Sequence, residues 1–115
     1  MANDDEIPAD LTGAGLALWN DLHADLEFQP HERQLVVELC RTVTVCEMLS
    51  AELAASGPVV EGQRGPRVSP LLAELRQQRL VVARLVHTIG IPEPDGIDRP
   101  RARGAVRGVY LKGAK

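Results

Sequence analysis

The patterned part of the chain opens with a short amphipathic segment. In "TGAGLALWNDLHADLEF", Leu18, Trp19, Leu22 and Leu26 recur at the three- and four-residue steps that keep side chains on one face of a helix. This pattern predicts a first helix over about residues 13–27. Two early glycines weaken its first turn, because glycine has a poor helix propensity.

A longer helix is predicted from Pro30 onwards. Pro30 fits the first helical position, where its missing N–H costs nothing, and Glu32 in the first turn is favourable for the helix dipole. Gly57 followed by Pro58 is a strong stop signal. Two adjacent apolar rows run along this second helix: Leu35, Leu39, Cys46, Leu49 and Leu53, and then Val36, Cys40 and Val43.

The segment after the second helix favours a turn of β-structure. Val59–Val60 and Arg67–Val68 are short β-prone runs, and "EGQRGP" lies between them. Such spacing is typical of a small β-hairpin with a glycine-containing loop of about five residues.

The third helix has clear signals at both ends. Ser69 at the N-cap and Pro70 at the first helical position are a good initiation pair. The segment then runs to Gly90, which is typical of a helix C-terminus, with Pro92 just beyond.

The apolar surface of the third helix is wider than one stripe, because two seams overlap along it. One seam can pack on the second helix in an antiparallel hairpin. The other needs a further partner, either the first helix or another subunit, and we favour another subunit. Gln78 and Arg79 put polar groups into the middle of the seams, where they can fix the register. The predicted subunit interface consists of Leu72, Leu75, Arg79, Val82, Val86 and Ile89.

Together these elements predict an all-α fold. It is a long antiparallel helix hairpin with a short N-terminal helix and a small β-hairpin between the two long helices. Residues 1–11 are polar and predicted to be disordered, and residues 12–92 are predicted to form a helical oligomerisation domain. Residues 93–115 are predicted to be a flexible basic tail without helical periodicity.

The net charge of −3 hides an asymmetry. Residues 99–115 hold six basic groups and no acidic one, whereas the rest of the chain holds seven basic and sixteen acidic groups. An acidic body with a basic tail indicates a polyanionic partner, nucleic acid or an acidic protein surface. The candidate nucleic-acid-binding residues are Arg64 and Arg67 on the hairpin and Arg99, Arg101, Arg103, Arg107, Lys112 and Lys115 in the tail.

Motif chemistry argues against an enzyme. The glycines at 62 and 65 lack the Gly-Lys-Ser/Thr ending of a nucleotide-binding loop. The three histidines form no zinc-type pair, and Cys40 and Cys46 are best read as buried thiols rather than a disulfide or a nucleophile. We therefore expect no metal, no cofactor and no catalytic residue. The acidic start "MANDDEIPAD" and the lack of a long apolar run predict a soluble, cytosolic protein without a membrane partner.

The order of these elements resembles the small terminase subunit of tailed bacteriophages, in the P27 family as it occurs in phages of actinobacteria. The resemblance depends on "GLALWNDL" (residues 15–22), "ELCRTV" (residues 38–43) and above all "GQRGPRVSPLLAELRQQR" (residues 62–79), and it covers about residues 13–92. It implies a non-catalytic DNA-packaging factor of the host cytoplasm. Such a factor forms a homo-oligomeric ring, recognises phage double-stranded DNA and regulates the large ATPase and nuclease subunit.

This chain departs from the many small terminases that carry a separate helix-turn-helix domain before the ring-forming helices. One short helix is too little for such a domain, which favours backbone contacts by arginines over sequence reading in the major groove. The alternative is a small phage transcriptional regulator that binds DNA as a dimer, with its first two helices as a degenerate recognition unit.

Overall fold

Three helices make up most of the residues that the structure describes. The computed structural model describes residues 6–91 and the backbone of residues 110–111. A small antiparallel hairpin lies between the second and third helices, so the predicted all-α fold with a minor β-hairpin is confirmed. The helices are α1 (Gly13–Asp25), α2 (Pro30–Ser56) and α3 (Pro70–Ile89).

Local chemistry sets both ends of α2. At its start, the carboxylate of Glu32 accepts the backbone N–H of Gln29 at 2.6 Å and satisfies a donor that would otherwise lack a partner at the helix end. Pro30 occupies the first helical position, as its sequence predicts. At the other end the N–H of Gly57 bonds to the carbonyl of Leu53 at 2.7 Å. The φ of Gly57 is +83°, a conformation that stops the helix and that residues with a Cβ rarely adopt.

The hairpin between α2 and α3 pairs further than its sequence predicts. Strands β2 (Val59–Gly62) and β3 (Gly65–Val68) are antiparallel, and their pairing continues to Gly62 opposite Gly65. Only Gln63 and Arg64 remain in the loop, so the prediction of a loop of about five residues is wrong. Gly65 permits this tight turn, because its φ of +106° is strained for any residue with a Cβ.

The predicted caps of α3 are both present. The Ser69 hydroxyl accepts the N–H of Leu71 at 3.2 Å, and Pro70 follows at the first helical position. Gly90 ends the helix in the left-handed conformation, with φ +80° and ψ +38°. The backbone N–H of Ser69 also bonds to the carbonyl of Pro58 at 2.8 Å, which closes the base of the hairpin against the start of α3.

The hydrophobic core lies where the first half of α2 meets α1 and the end of α3. Helix α2 packs against both other helices. Leu11 belongs to this core, and Asp10 beside it forms an ion pair with Arg41. The structure therefore differs from the predicted disorder of residues 1–11 at these two positions, because burial of Leu11 and the ion pair hold them against α2. The buried core residues are Leu11, Trp19, Leu22, Leu26, Val36, Leu39, Cys40 and Ile89.

A second pair of short strands joins distant parts of the chain. Strand β1 (Leu26–Glu27) follows α1 directly, so α1 ends two residues before its predicted end. It pairs antiparallel with β4 (Tyr110–Leu111), which lies within the predicted flexible tail. The other residues of that tail lie outside the described residues.

Candidate nucleic-acid interface

The hairpin presents its two arginines to solvent. Arg64 occupies the two-residue turn, at the end of the hairpin away from the helices, and its side chain is exposed. Arg67 lies on β3 and is also exposed. A Cβ built on Gly62 would lie 3.0 Å from Cδ of Arg67, so the aliphatic stem of Arg67 runs along a position that has no side chain. The guanidinium groups of both arginines are thus accessible to an anionic partner.

Helix α3 extends the same positive charge. Residues 57–91 contain five arginines and two glutamates, which gives this segment a net charge of +3. All five arginines are exposed, and none takes part in an ion pair within residues 6–91. Without an acidic partner their charge is fully available at the surface. They are Arg64, Arg67, Arg76, Arg79 and Arg84.

The first half of the described chain has the opposite charge. Residues 6–56 hold nine acidic side chains and two arginines, Arg33 and Arg41. The guanidinium of Arg41 bonds to Asp10 at 2.8 Å and to Glu38 at 3.0 Å, so acidic groups already compensate its charge. Because negative groups predominate on α1 and α2 and positive groups on the hairpin and α3, the hairpin and α3 are the more favourable elements for an anionic ligand.

The structure divides the predicted subunit interface into two sets. Leu75 and Ile89 are only 4% and 2% exposed, and Val82 is half-buried. Leu75 and Ile89 lie on the face of α3 that packs within the chain and offer little surface to another subunit, so their contact with a second copy stays a prediction. The exposed set consists of Leu72, Arg79 and Val86.

An open groove on the surface of α3 includes Leu72 and Arg79 of this exposed set. Leu72 and Leu80 are its exposed apolar residues, and Leu80 is 52% exposed. Sequence reasoning missed Leu80 and Arg76 here, although residues 72, 76 and 80 follow the four-residue helical step. We call this surface the α3 groove; it is lined by Leu72, Ala73, Leu75, Arg76, Arg79 and Leu80.

The predicted basic residues of the tail lie outside the described residues, so the structure gives them no position. Arg64 and Arg67 on the hairpin are therefore the only predicted nucleic-acid-binding residues within the part of the chain that the structure describes. The tail residues are Arg99, Arg101, Arg103, Arg107, Lys112 and Lys115.

The two cysteines are free thiols. Burial raises the pKa of the Cys40 thiol to about 11, and burial also raises the pKa of Cys46, against a smaller opposing effect of the nearby Arg79 charge. Both thiols therefore stay protonated at neutral pH, which makes them poor nucleophiles and poor metal ligands. Among residues 6–91, no three metal-binding side chains come together.

Comparison with known proteins identified no relative of this chain. No family model, curated protein or solved structure matches this chain. In the described part of the chain, no helix is both long and apolar enough to cross a lipid bilayer.

Proposed function

We propose that the protein is the small terminase subunit of a tailed bacteriophage, a non-catalytic DNA-binding component of the genome-packaging motor. In this role it assembles into a homo-oligomeric ring and acts with the large ATPase and nuclease subunit in the host cytoplasm. The sequence resemblance in residues 62–79 supports the family. The observation that carries the DNA-binding part is the pair of exposed hairpin arginines, Arg64 and Arg67, which form no ion pair within residues 6–91.

The hairpin is the element best suited to reach DNA. Its two-residue tip carries the exposed Arg64, and a two-stranded ribbon is narrow enough to follow a groove or the phosphate backbone. Arg67 lies on the adjacent strand, so both guanidinium groups can bind phosphates. Such binding recognises the backbone rather than the base sequence, and it weakens steeply as salt rises.

The charge distribution disfavours the regulator alternative. That alternative uses α1 and α2 as the DNA-reading unit, but residues 13–56 hold seven acidic side chains and two arginines. A helix that enters the major groove lies between two rows of phosphates, which repel acidic side chains. We therefore place the DNA on the hairpin side of the molecule.

Fluorescence anisotropy with labelled double-stranded DNA tests this proposal. We expect binding whose affinity falls with salt, and we expect Arg64→Ala and Arg67→Ala each to reduce the slope of log affinity against log salt by about one. Deletion of residues 99–115 should weaken binding further and flatten its salt dependence. Arg84→Ala is the matched control, because it removes one exposed arginine from the end of α3 remote from the hairpin.

Two results would contradict the proposal. One is the absence of DNA binding at low salt. The other is an equal loss in Arg64→Ala and Arg84→Ala, which would show a diffuse charge effect in place of a hairpin site. The motor role is tested separately by adding the protein to the large subunit of the same phage and measuring DNA-stimulated ATP hydrolysis.

A further inference from the structure

Helix α2 exposes apolar side chains that its packing does not require. Met48 is 64% exposed, and Val45 is also exposed, although both lie in the middle of a helix with a buried side. With Glu52 they follow steps of three and four residues and share one stripe of the helix surface. We call these three residues the α2 stripe.

The surroundings of the α2 stripe are acidic. Glu52 is exposed at one end, and Glu38 and Asp10 lie near the other end, where they flank Arg41. Because Arg41 bonds to both acids, it adds no free positive charge. The stripe is thus an apolar surface with a negative rim.

The α3 groove has the complementary composition. Leu72 and Leu80 form its exposed apolar part, and Arg76 and Arg79 give it a positive rim. Neither arginine has an ion-pair partner within residues 6–91. The α2 stripe, with its apolar centre and acidic rim, therefore matches the α3 groove in both polarity and charge.

We propose that the α2 stripe of one copy of this chain binds the α3 groove of a second copy, with Glu52 of one copy facing Arg76 and Arg79 of the other. The proposal rests on the self-association in the proposed function and names the surfaces that carry it. The two surfaces differ from each other, so each copy offers one of each kind. Repetition of one such contact from copy to copy builds a closed ring when the rotation between copies closes.

Charge reversal tests the contact. Full-length protein is measured by native mass spectrometry and by sedimentation velocity over a range of concentrations. Glu52→Arg and Arg76→Glu should each raise the concentration of half-assembly at least about tenfold, because each places like charges opposite one another. Asp21→Arg on α1 and Arg84→Glu on α3 are the matched controls and should assemble as the wild type does, since both positions are exposed and lie outside the two surfaces.

An equimolar mixture of Glu52→Arg and Arg76→Glu gives the sharper result. When the two variants alternate, the new arginine of Glu52→Arg faces the new glutamate of Arg76→Glu at one contact. At the next contact, the unchanged Glu52 faces the unchanged Arg76. The mixture should therefore assemble again, into oligomers that hold an even number of copies and equal amounts of the two variants. A fold damaged by substitution could not be rescued in this way.

Three outcomes would overturn the proposal: a wild-type protein that stays monomeric at tens of micromolar, single variants that assemble normally, or a mixture that fails to assemble although circular dichroism shows both variants folded. Normal assembly in both single variants would show that the copies contact one another through other surfaces. DNA binding is measured separately on the wild-type protein, so a wild type that binds no DNA while the mixed variants still assemble contradicts the proposed function and leaves this contact in place.

Discussion

Gly15 of α1 lies directly against the backbone of Cys40 in α2. A Cβ at Gly15 would overlap the carbonyl oxygen of Cys40 and the hydroxyl of Thr44. The Thr44 hydroxyl donates to that carbonyl at 3.0 Å and also lies 3.4 Å from the carbonyl oxygen of Thr12, at the start of α1. The glycine that weakens the first turn of α1 is thus what lets the two helices approach.

The first prediction concerns this contact. Gly15→Ala should destabilise the protein by roughly 2 kcal/mol, because the backbone of α2 cannot yield as a flexible side chain could. In an exposed helical position the same change stabilises a helix by about 1 kcal/mol, so the sign of the effect is diagnostic. Urea unfolding followed by circular dichroism measures it.

Asn20→Ala is the control for this prediction. Asn20 is exposed on α1, and its replacement should change the free energy of unfolding by no more than about 0.5 kcal/mol. A Gly15→Ala protein more stable than the wild type would show that α1 does not pack on α2 at this distance.

The second prediction concerns the cap of α1. Thr12, at the N-cap, makes no side-chain cap, and the carboxylate of Glu47 on α2 instead accepts the N–H of Ala14 at 3.0 Å. This acceptor also places negative charge at the positive end of the α1 dipole. Glu47→Ala should therefore cost about 1 kcal/mol of stability, and Glu47→Gln less, since an amide oxygen still accepts the bond.

Thermal unfolding measures this cost, with Gln34→Ala as the control because Gln34 is an exposed polar residue on the same helix. Hydrogen exchange adds a local reading: the amide of Ala14 should exchange faster in Glu47→Ala than in the wild type. Equal exchange in the two proteins would contradict the cap.

The third prediction compares two serines at helix ends. Ser69 is buried, caps α3 through its hydroxyl and bonds to Pro58 through its backbone. Ser56 is exposed at the end of α2, where its hydroxyl bonds to the carbonyl of Glu52 at 2.9 Å. Ser69→Ala should lower the free energy of unfolding by about 1 kcal/mol, whereas Ser56→Ala should change it by less than about 0.5 kcal/mol. Similar losses of stability in the two variants would contradict the capping role of Ser69 at the start of α3.

The boundaries of α2 and α3 could be predicted from the sequence because local chemistry decides them. Pro30 begins α2 and Gly57 ends it, and Ser69 and Gly90 do the same for α3. Each of these residues acts through its own backbone or on residues within one turn, so no tertiary information is needed.

Contacts between helices were harder to predict. Both seams of α3 are apolar in sequence, and only the packing on α2 shows that Leu75 lies inside the chain and Leu72 outside. The Glu47 cap joins residues 33 positions apart. No local pattern indicates such a pairing, because the partner is fixed by how two helices cross.

The candidate site, too, could be predicted from the sequence only in part. The position of Arg64 in the hairpin loop could be predicted from the glycines around it, whereas the two-residue length of that loop could not. The α3 groove depends on which face of α3 is covered, so Arg76 and Leu80 could be assigned to it only once the packing of α3 on α2 was known.

The last prediction concerns acid stability. The Arg41 guanidinium bonds to the Asp10 carboxylate at 2.8 Å and holds the pKa of that carboxyl below its ordinary value of 3.8. Because the unfolded chain then binds its proton more readily than the folded one, the pair stabilises the fold fully above the ordinary pKa. That stabilisation is lost as the pH falls from the ordinary value through the lower, folded-state pKa.

Asp10→Asn removes this pH-dependent contribution, so its melting temperature should fall below that of the wild type at neutral pH and converge with it in acid. Melting curves from about pH 2 to about pH 7 measure the difference. Arg41→Ala supplies the control: in that background Asp10→Asn should produce a much smaller pH-dependent change, because the group that lowers the Asp10 pKa most is already absent. A constant gap between wild type and Asp10→Asn at every pH would instead mean that Asp10 acts through packing, and that the ion pair contributes nothing to holding the N-terminal segment against α2.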